Sequence, residues 1–262
     1  MSAAQLQVVE QLRSQLRTSQ PAAADRNIVS TGFDSLDQIL PERGIPTGSL
    51  IEWVSEGPGM RTTSVAIKTG SQFLDRPGAF AIVDPLQTLC AASLPDLGLP
   101  LNRLLLVRPQ ASQKLSRQIA STNYHLPKES RSDALWCLEQ LARCTGVGVV
   151  LTWIDRLSST AQRRLQLAVE HSGATVFLIR PQSVLTQLTW ANLRFHVKTC
   201  SQPTISDEDS TMIESNLEVT LVRSKNSVHS HGNVTLECEH ETGVMSETKQ
   251  LACSEAAKPF AG

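Results

Sequence analysis

The residues best suited to chemistry lie in "WVSEGPGMRTTSVAIKTG", Trp53 to Gly70. An apolar, strand-like run, "GSLIEWV", leads into this stretch, and a helix-like run, "TTSVAIKTGSQFL", leads out. A strand, a Gly/Pro-rich turn and a helix are the parts of a phosphate cradle. Its backbone N–H groups and the helix N-terminus point at the anion. A working cradle also needs a glycine and a lysine directly before the Ser/Thr that holds magnesium. Gly57 and Gly59 give the turn its freedom, and Thr62, followed by Thr63, supplies the hydroxyl. Met60, however, stands at the last glycine, where a side chain crowds the backbone, and Arg61 stands at the lysine. Arginine keeps the charge but not the compact ammonium. The loop has the context of a nucleotide site with part of its chemistry missing. It leaves room for weak ATP binding, with no cofactor required.

Other clusters say less. His229 and His231 in "VHSHG" share one face of a strand, but no cysteine or carboxylate completes a metal site, so none is expected. Arg156, Arg163 and Arg164 form a basic strip that reads either as a nucleic-acid or partner contact or as the solvated face of a helix. Trp153 and Trp190 read either as partner anchors or as core residues in an aromatic-poor chain. No residue is assigned a catalytic role.

The elements that must position these residues follow from periodicity. "SLIEWV", "AFAIV", "RLLLV", "GVGVVLTW" and "ATVFLI" are short, continuous apolar runs, as strands buried on both faces of a parallel sheet are. Between them "MRTTSVAIKTGSQFL", "QTLCAASLPDLG", "RSDALWCLEQLARC" and "SSTAQRRLQLAVEHSG" read as helices. The alternation predicts a doubly wound α/β core over residues 28–200. Before it, Leu6, Val9, Leu12 and Leu16 recur at helical spacing, so residues 1–27 are expected to hold an amphipathic helix and a linker. That apolar stripe either docks on a partner or folds back on its own domain. After the core come an acidic loop (201–216), a β-hairpin completing the sheet (217–241) and a tail expected to be disordered (242–262).

The 262 residues, 40% hydrophobic, suffice for one large domain with appendages. With a net charge of -1, the chain lacks the basic excess of a free-standing nucleic-acid binder, so DNA binding is expected to be weak at most. The six cysteines form no CxxC pair, the N-terminus does not read as a signal peptide, and no run is apolar for long enough to span a membrane. A cytoplasmic location is expected.

Two resemblances sharpen this reading. "STGFDSLDQILPERGIPTGSLIEWVSEGPGMRTTSVA", Ser30 to Ala66, resembles the segment that leads into the phosphate loop of RecA-type recombinases, and the likeness continues through Ala79 to Pro109. The resemblance implies a RecA-like P-loop fold, with a mostly parallel sheet flanked by helices. It also implies losses. Asp84 matches the first acidic position, but the water-activating glutamate falls on Leu86, the magnesium-site aspartate on Thr152 with Asp155 beyond it, and the γ-phosphate sensor on Arg180. A leucine cannot accept a proton or orient a water. The two long DNA-binding loops of a recombinase are replaced by the short stretches "IDRLSS" and "PQSVLTQLTWAN".

"GVGVVLTWIDRLSSTAQRRLQLAVEHSGATVFLIRP", Gly146 to Pro181, and "SDALWCLEQLARC", Ser132 to Cys144, are similar to the ImuA family. These are RecA-like accessory proteins of bacterial error-prone translesion synthesis. The resemblance covers roughly Ile28 to Val197. It implies a pseudo-ATPase of the SOS response that works through protein contacts. The implied partners are an ImuB-type Y-family-like subunit, a DnaE-type error-prone polymerase and RecA. Arg180 joins the arginines above as a candidate nucleic-acid or partner contact. Two rival readings stand beside this one: a divergent RecA/RadA-like ATPase using Arg61, Thr62 and Asp84, and a SulA-like division inhibitor.

Overall fold

In a computed structural model of the chain, every residue of β3 (Leu50–Ser55) is buried, because both faces of the strand are covered. The structure describes residues 27–57, 60–109, 126–201, 215–225, 232–238 and 245–247. Leu6, Val9, Leu12, Leu16, Gly59, His229, His231 and nearly all of the acidic loop and tail lie outside them.

Strands β1 (Ile28–Val29) and β2 (Ile45–Pro46) form a small antiparallel pair around helix α1 (Asp34–Ile39). Then β3 leads to α2 (Met60–Ser71), β4 (Ala79–Val83) and β5 (Leu104–Val107). Helix α3 (Lys128–Ala142), β6 (Val147–Trp153), α4 (Ser159–Ser172), β7 (Thr175–Pro181) and β8 (Leu193–Ser201) complete the winding. Beyond them lie β9 (Ser215–Ser224), β10 (Asn233–Cys238) and β11 (Met245–Glu247).

The main sheet has the order β11-β10-β9-β8-β3-β7-β6-β4-β5. Its block from β8 to β5 is parallel, and β9, β10 and β11 extend the β8 edge in antiparallel fashion. The expected doubly wound architecture is therefore present. Three details differ from expectation. Strand β8 was not among the runs singled out, because "LRFHVKTCS" mixes charge with apolar residues. The stretch "QTLCAASLPDLG" forms only brief 3-10 turns at Ala91–Ser93 and Pro95–Leu97, since Pro95 interrupts any longer helix. A short strand, β11, stands in the region expected to be a tail.

Alternation along each strand feeds two cores. Ile51, Trp53, Phe177, Ile179 and Phe195 pack with Val65 and Ile67 on the α2 face. Trp53 stacks on Phe195 at 4.5 Å and meets Phe177 edge-on at 6.0 Å. On the other face Leu50, Val150, Val176 and Leu178 pack with Leu138 of α3 and Leu165 of α4. Helix α2 lies close on its core because Gly70 has no side chain. A Cβ there would come 2.6 Å from a Phe80 ring carbon. Helix α4 starts at the Ser158 cap, whose hydroxyl accepts from the Ala161 N–H, and stops at Gly173 in the left-handed region (φ 79°).

Candidate functional site: a phosphate-loop edge

The parallel strands end together at one edge of the sheet, the place where open α/β sheets bind ligands. There, the chain leaves β3 at Ser55 and enters α2 at Met60. A cleft of about 200 Å³ is lined by Ser55, Glu56, Gly57, Arg61, Thr62, Val197 and Thr199. It is smaller than the roughly 300–1,000 Å³ of most small-molecule sites. Counting back six residues from Arg61, the first glycine of a phosphate loop falls on Ser55. The Ser55 hydroxyl donates to the Gly57 carbonyl at 2.6 Å, tying the start of the loop to itself. Among the lining residues the only acid is Glu56, which sets a negative charge in the cradle and accepts a hydrogen bond from Gln182. Thr62 and Thr63 are both buried.

The neighbouring strand ends bring no free carboxylate. Asp84, fully buried after β4, accepts from the N–H groups of Thr88 and Leu89 and pairs with Arg108 at 3.3 Å. Asp155, buried after β6, is held in a fork by Arg131 of α3, with bonds of 3.0 and 3.1 Å, and also accepts from the Arg156 N–H. Thr152 turns toward the α3/α4 core, and its hydroxyl donates to the Val83 carbonyl. The side chain that β6 presents to α2 is Trp153, whose indole N–H donates to the Thr63 hydroxyl at 3.1 Å. The Thr63 hydroxyl is engaged by an indole, and both nearby aspartates are paired with arginines.

No protein-family model matches the chain, and no curated protein matches its sequence. Solved structures do match. The crystal structure of a KaiC-like protein from the hyperthermophilic archaeon Pyrococcus horikoshii OT3 is similar with a TM-score of 0.51, covering 85% of this chain and 99% of that one. The chain has a RecA-like fold. At 15% identity the likeness speaks for the fold alone.

Within the RecA-like core, two expectations are corrected. Arg180, at the sensor position, was a candidate for contact with nucleic acid or a partner. It is instead buried on the sheet face opposite α2. Its guanidinium donates to Glu52 at 2.7 Å, and the other Glu52 oxygen accepts from Arg194 at 2.6 Å. Arg180 Nη2 also donates to the Asp155 carbonyl, and Arg194 Nη1 to the carbonyls of Leu185 and Gln187. Trp153 was a candidate partner anchor, and it is a core residue at 8% exposure. Of the last two residues of β6, Trp153 bonds to the loop helix and Thr152 to the Val83 carbonyl.

The other arginines remain at the surface, and Arg163 and Arg164 are engaged locally. Arg163 lies 4.8 Å over the Trp190 ring and donates to Gln166. Arg164 pairs with Glu139 of α3 at 2.7 Å. Arg156 is exposed in the turn before α4. Sequence reasoning did not find the Arg180–Glu52–Arg194 triad, although it left a signal: single charges in "LIEWV", "TVFLIRP" and "NLRFHV", strands that are otherwise apolar.

Among the described residues no His/Cys/Asp/Glu cluster could hold a metal ion. None of their helices is long and apolar enough to cross a membrane.

Proposed function

We propose that this RecA-like protein is an accessory factor that acts through protein contacts rather than by hydrolysing a nucleotide. The observation that carries the reading is the Trp153 indole bonded to Thr63, where a metal-holding acid would have to reach the loop helix. The pairing of Asp84 with Arg108 and of Asp155 with Arg131 supports it, since neither acid is left to hold magnesium or activate water. The setting in damage-induced translesion synthesis rests on the ImuA resemblance. So do the partners: an ImuB-type subunit, a DnaE-type polymerase and RecA.

Two measurements test the two halves. ATP turnover by the purified chain, with and without single-stranded DNA, is expected to stay at background. Turnover that vanishes on Arg61→Ala would overturn the non-catalytic half and favour the divergent ATPase. A pull-down with purified candidates should recover the polymerase-side subunits. Recovery of the division GTPase instead would overturn the translesion half.

A further inference from the structure

The two faces of the sheet are covered unequally. One carries α3 and α4, helices of 15 and 14 residues. On the α2 face, the connection from β4 to β5 adds no such helix. Its ordered pieces are the 3-10 turns Ala91–Ser93, Pro95–Leu97 and Leu101–Arg103. Leu74, Leu97 and Leu104 pack against the core of that face, yet all three are left half-buried. Leu101, in the turn that leads into β5, stands exposed at 50%.

The N-terminal segment joins the described structure at this same corner. The Asn27 side-chain oxygen accepts from the Arg76 guanidinium. Arg103 in turn donates to the carbonyls of Leu74, Arg76 and Gly78. Hydrogen bonds therefore tie Asn27, the turn at residues 74–78 and the turn that carries Leu101 to one another. Between Leu16 and Asn27 lie ten residues, which span about 33–36 Å when fully extended. Leu6, Val9, Leu12 and Leu16, at helical spacing, make an apolar stripe about 15 Å long. The connection is long enough to lay that stripe over the leucines beside its own point of entry.

We infer that the stripe of Leu6, Val9, Leu12 and Leu16 covers Leu74, Leu97, Leu101 and Leu104 of its own chain. The inference does not depend on the nucleotide reading. The tether selects this occupant over a second copy. A connection of this length holds the two apolar surfaces at an effective concentration in roughly the millimolar range, well above the micromolar concentrations at which separate copies meet. The stripe then supplies over β4 and β5 the apolar cover that crossover helices give the rest of a parallel sheet.

Hydrogen exchange of the full chain, read by mass spectrometry at several protein concentrations, tests this. Amides of residues 6–16 should exchange at least about tenfold more slowly than in an unfolded chain, by a factor independent of concentration. Leu101→Glu should remove that protection, and because the side chain is half exposed the variant should still fold. Leu12→Asp should in return speed exchange across residues 97–107. Leu188→Glu, at a side chain 93% exposed in the loop between β7 and β8, should change neither. Unprotected amides at residues 6–16 overturn the inference. Protection that grows with protein concentration also overturns it, since the stripe then sits on a second copy. So does protection that survives Leu101→Glu, or that is lost equally in Leu188→Glu, because the stripe then lies elsewhere.

Discussion

Replacing Glu52 with glutamine should unfold this protein at markedly lower temperature. Glu52 is fully buried and accepts from two guanidiniums that are themselves within a few per cent of full burial. The amide keeps the shape and can still accept one hydrogen bond, but it removes the only charge facing two arginines. Breaking a buried pair in this way costs about 3–5 kcal/mol, because the remaining charge is left without compensation. Here two charges are left, and the Arg180 Nε and Arg194 Nη2 atoms already lack partners. For a chain of this size each kcal/mol moves the melting temperature by roughly 2–4 °C, so a fall on the order of 10 °C is expected. Thermal unfolding followed by circular dichroism reads it directly. The companion experiment replaces all three members with Leu and Met. That variant should melt near the wild type, since a well-packed apolar substitute removes the desolvation penalty together with the pairing. A Glu52→Gln variant that melts within about 2 °C of wild type would refute the claim that this triad locks β3, β7 and β8 together.

Three further outcomes follow from the site. Trp153→Phe should lose about 1–2 kcal/mol, seen as a lower urea midpoint at unchanged slope, because the buried Thr63 hydroxyl loses its donor; an unchanged midpoint would show that the bond contributes nothing. Fluorescence anisotropy with single-stranded DNA should find weak binding that disappears with added salt and is scarcely altered by Arg163→Ala/Arg164→Ala, since Trp190, Gln166 and Glu139 already engage these side chains; tight binding at physiological salt lost in that variant would contradict it. Burial, and then Lys198 beside it, pushes the His196 imidazole below its usual 6.5, so the unfolded chain takes up a proton that the folded state resists. Its contribution is therefore complete above about pH 6.5 and declines as the pH falls through that value. His196→Asn should flatten the fall of the urea midpoint between pH 7.5 and pH 5.5, and an identical pH slope in both proteins would count against this assignment.

The position of the phosphate-loop helix does not depend on the loop's own residues. The loop helix is anchored by its inner face, where Val65 and Ile67 pack in the core and Gly70 allows close contact with the sheet. None of this requires a ligand. Ser55, Met60 and Arg61 depart from the pattern while the helix keeps this anchoring, and the Trp153 indole bonds to Thr63 on it.

What the sequence determined by itself was the set of elements and their winding. Continuous apolar runs such as "AFAIV" and "TVFLI" are buried on both faces, and that demand can be read locally, one run at a time. The degenerate loop was equally legible, because a cradle is a contiguous stretch whose residues do their work within a few positions of one another. Side-chain partners across strands were not legible. Glu52 and Arg194 are 142 positions apart, and Arg180 is 128 positions from Glu52, so their pairing exists only once β8, β3 and β7 lie side by side. The facing of Thr152 and Trp153 is decided in the same way. A period of two makes either residue the inward one, and only the register of β6 against β4 and β7 turns the indole toward Thr63 and the threonine toward Val83.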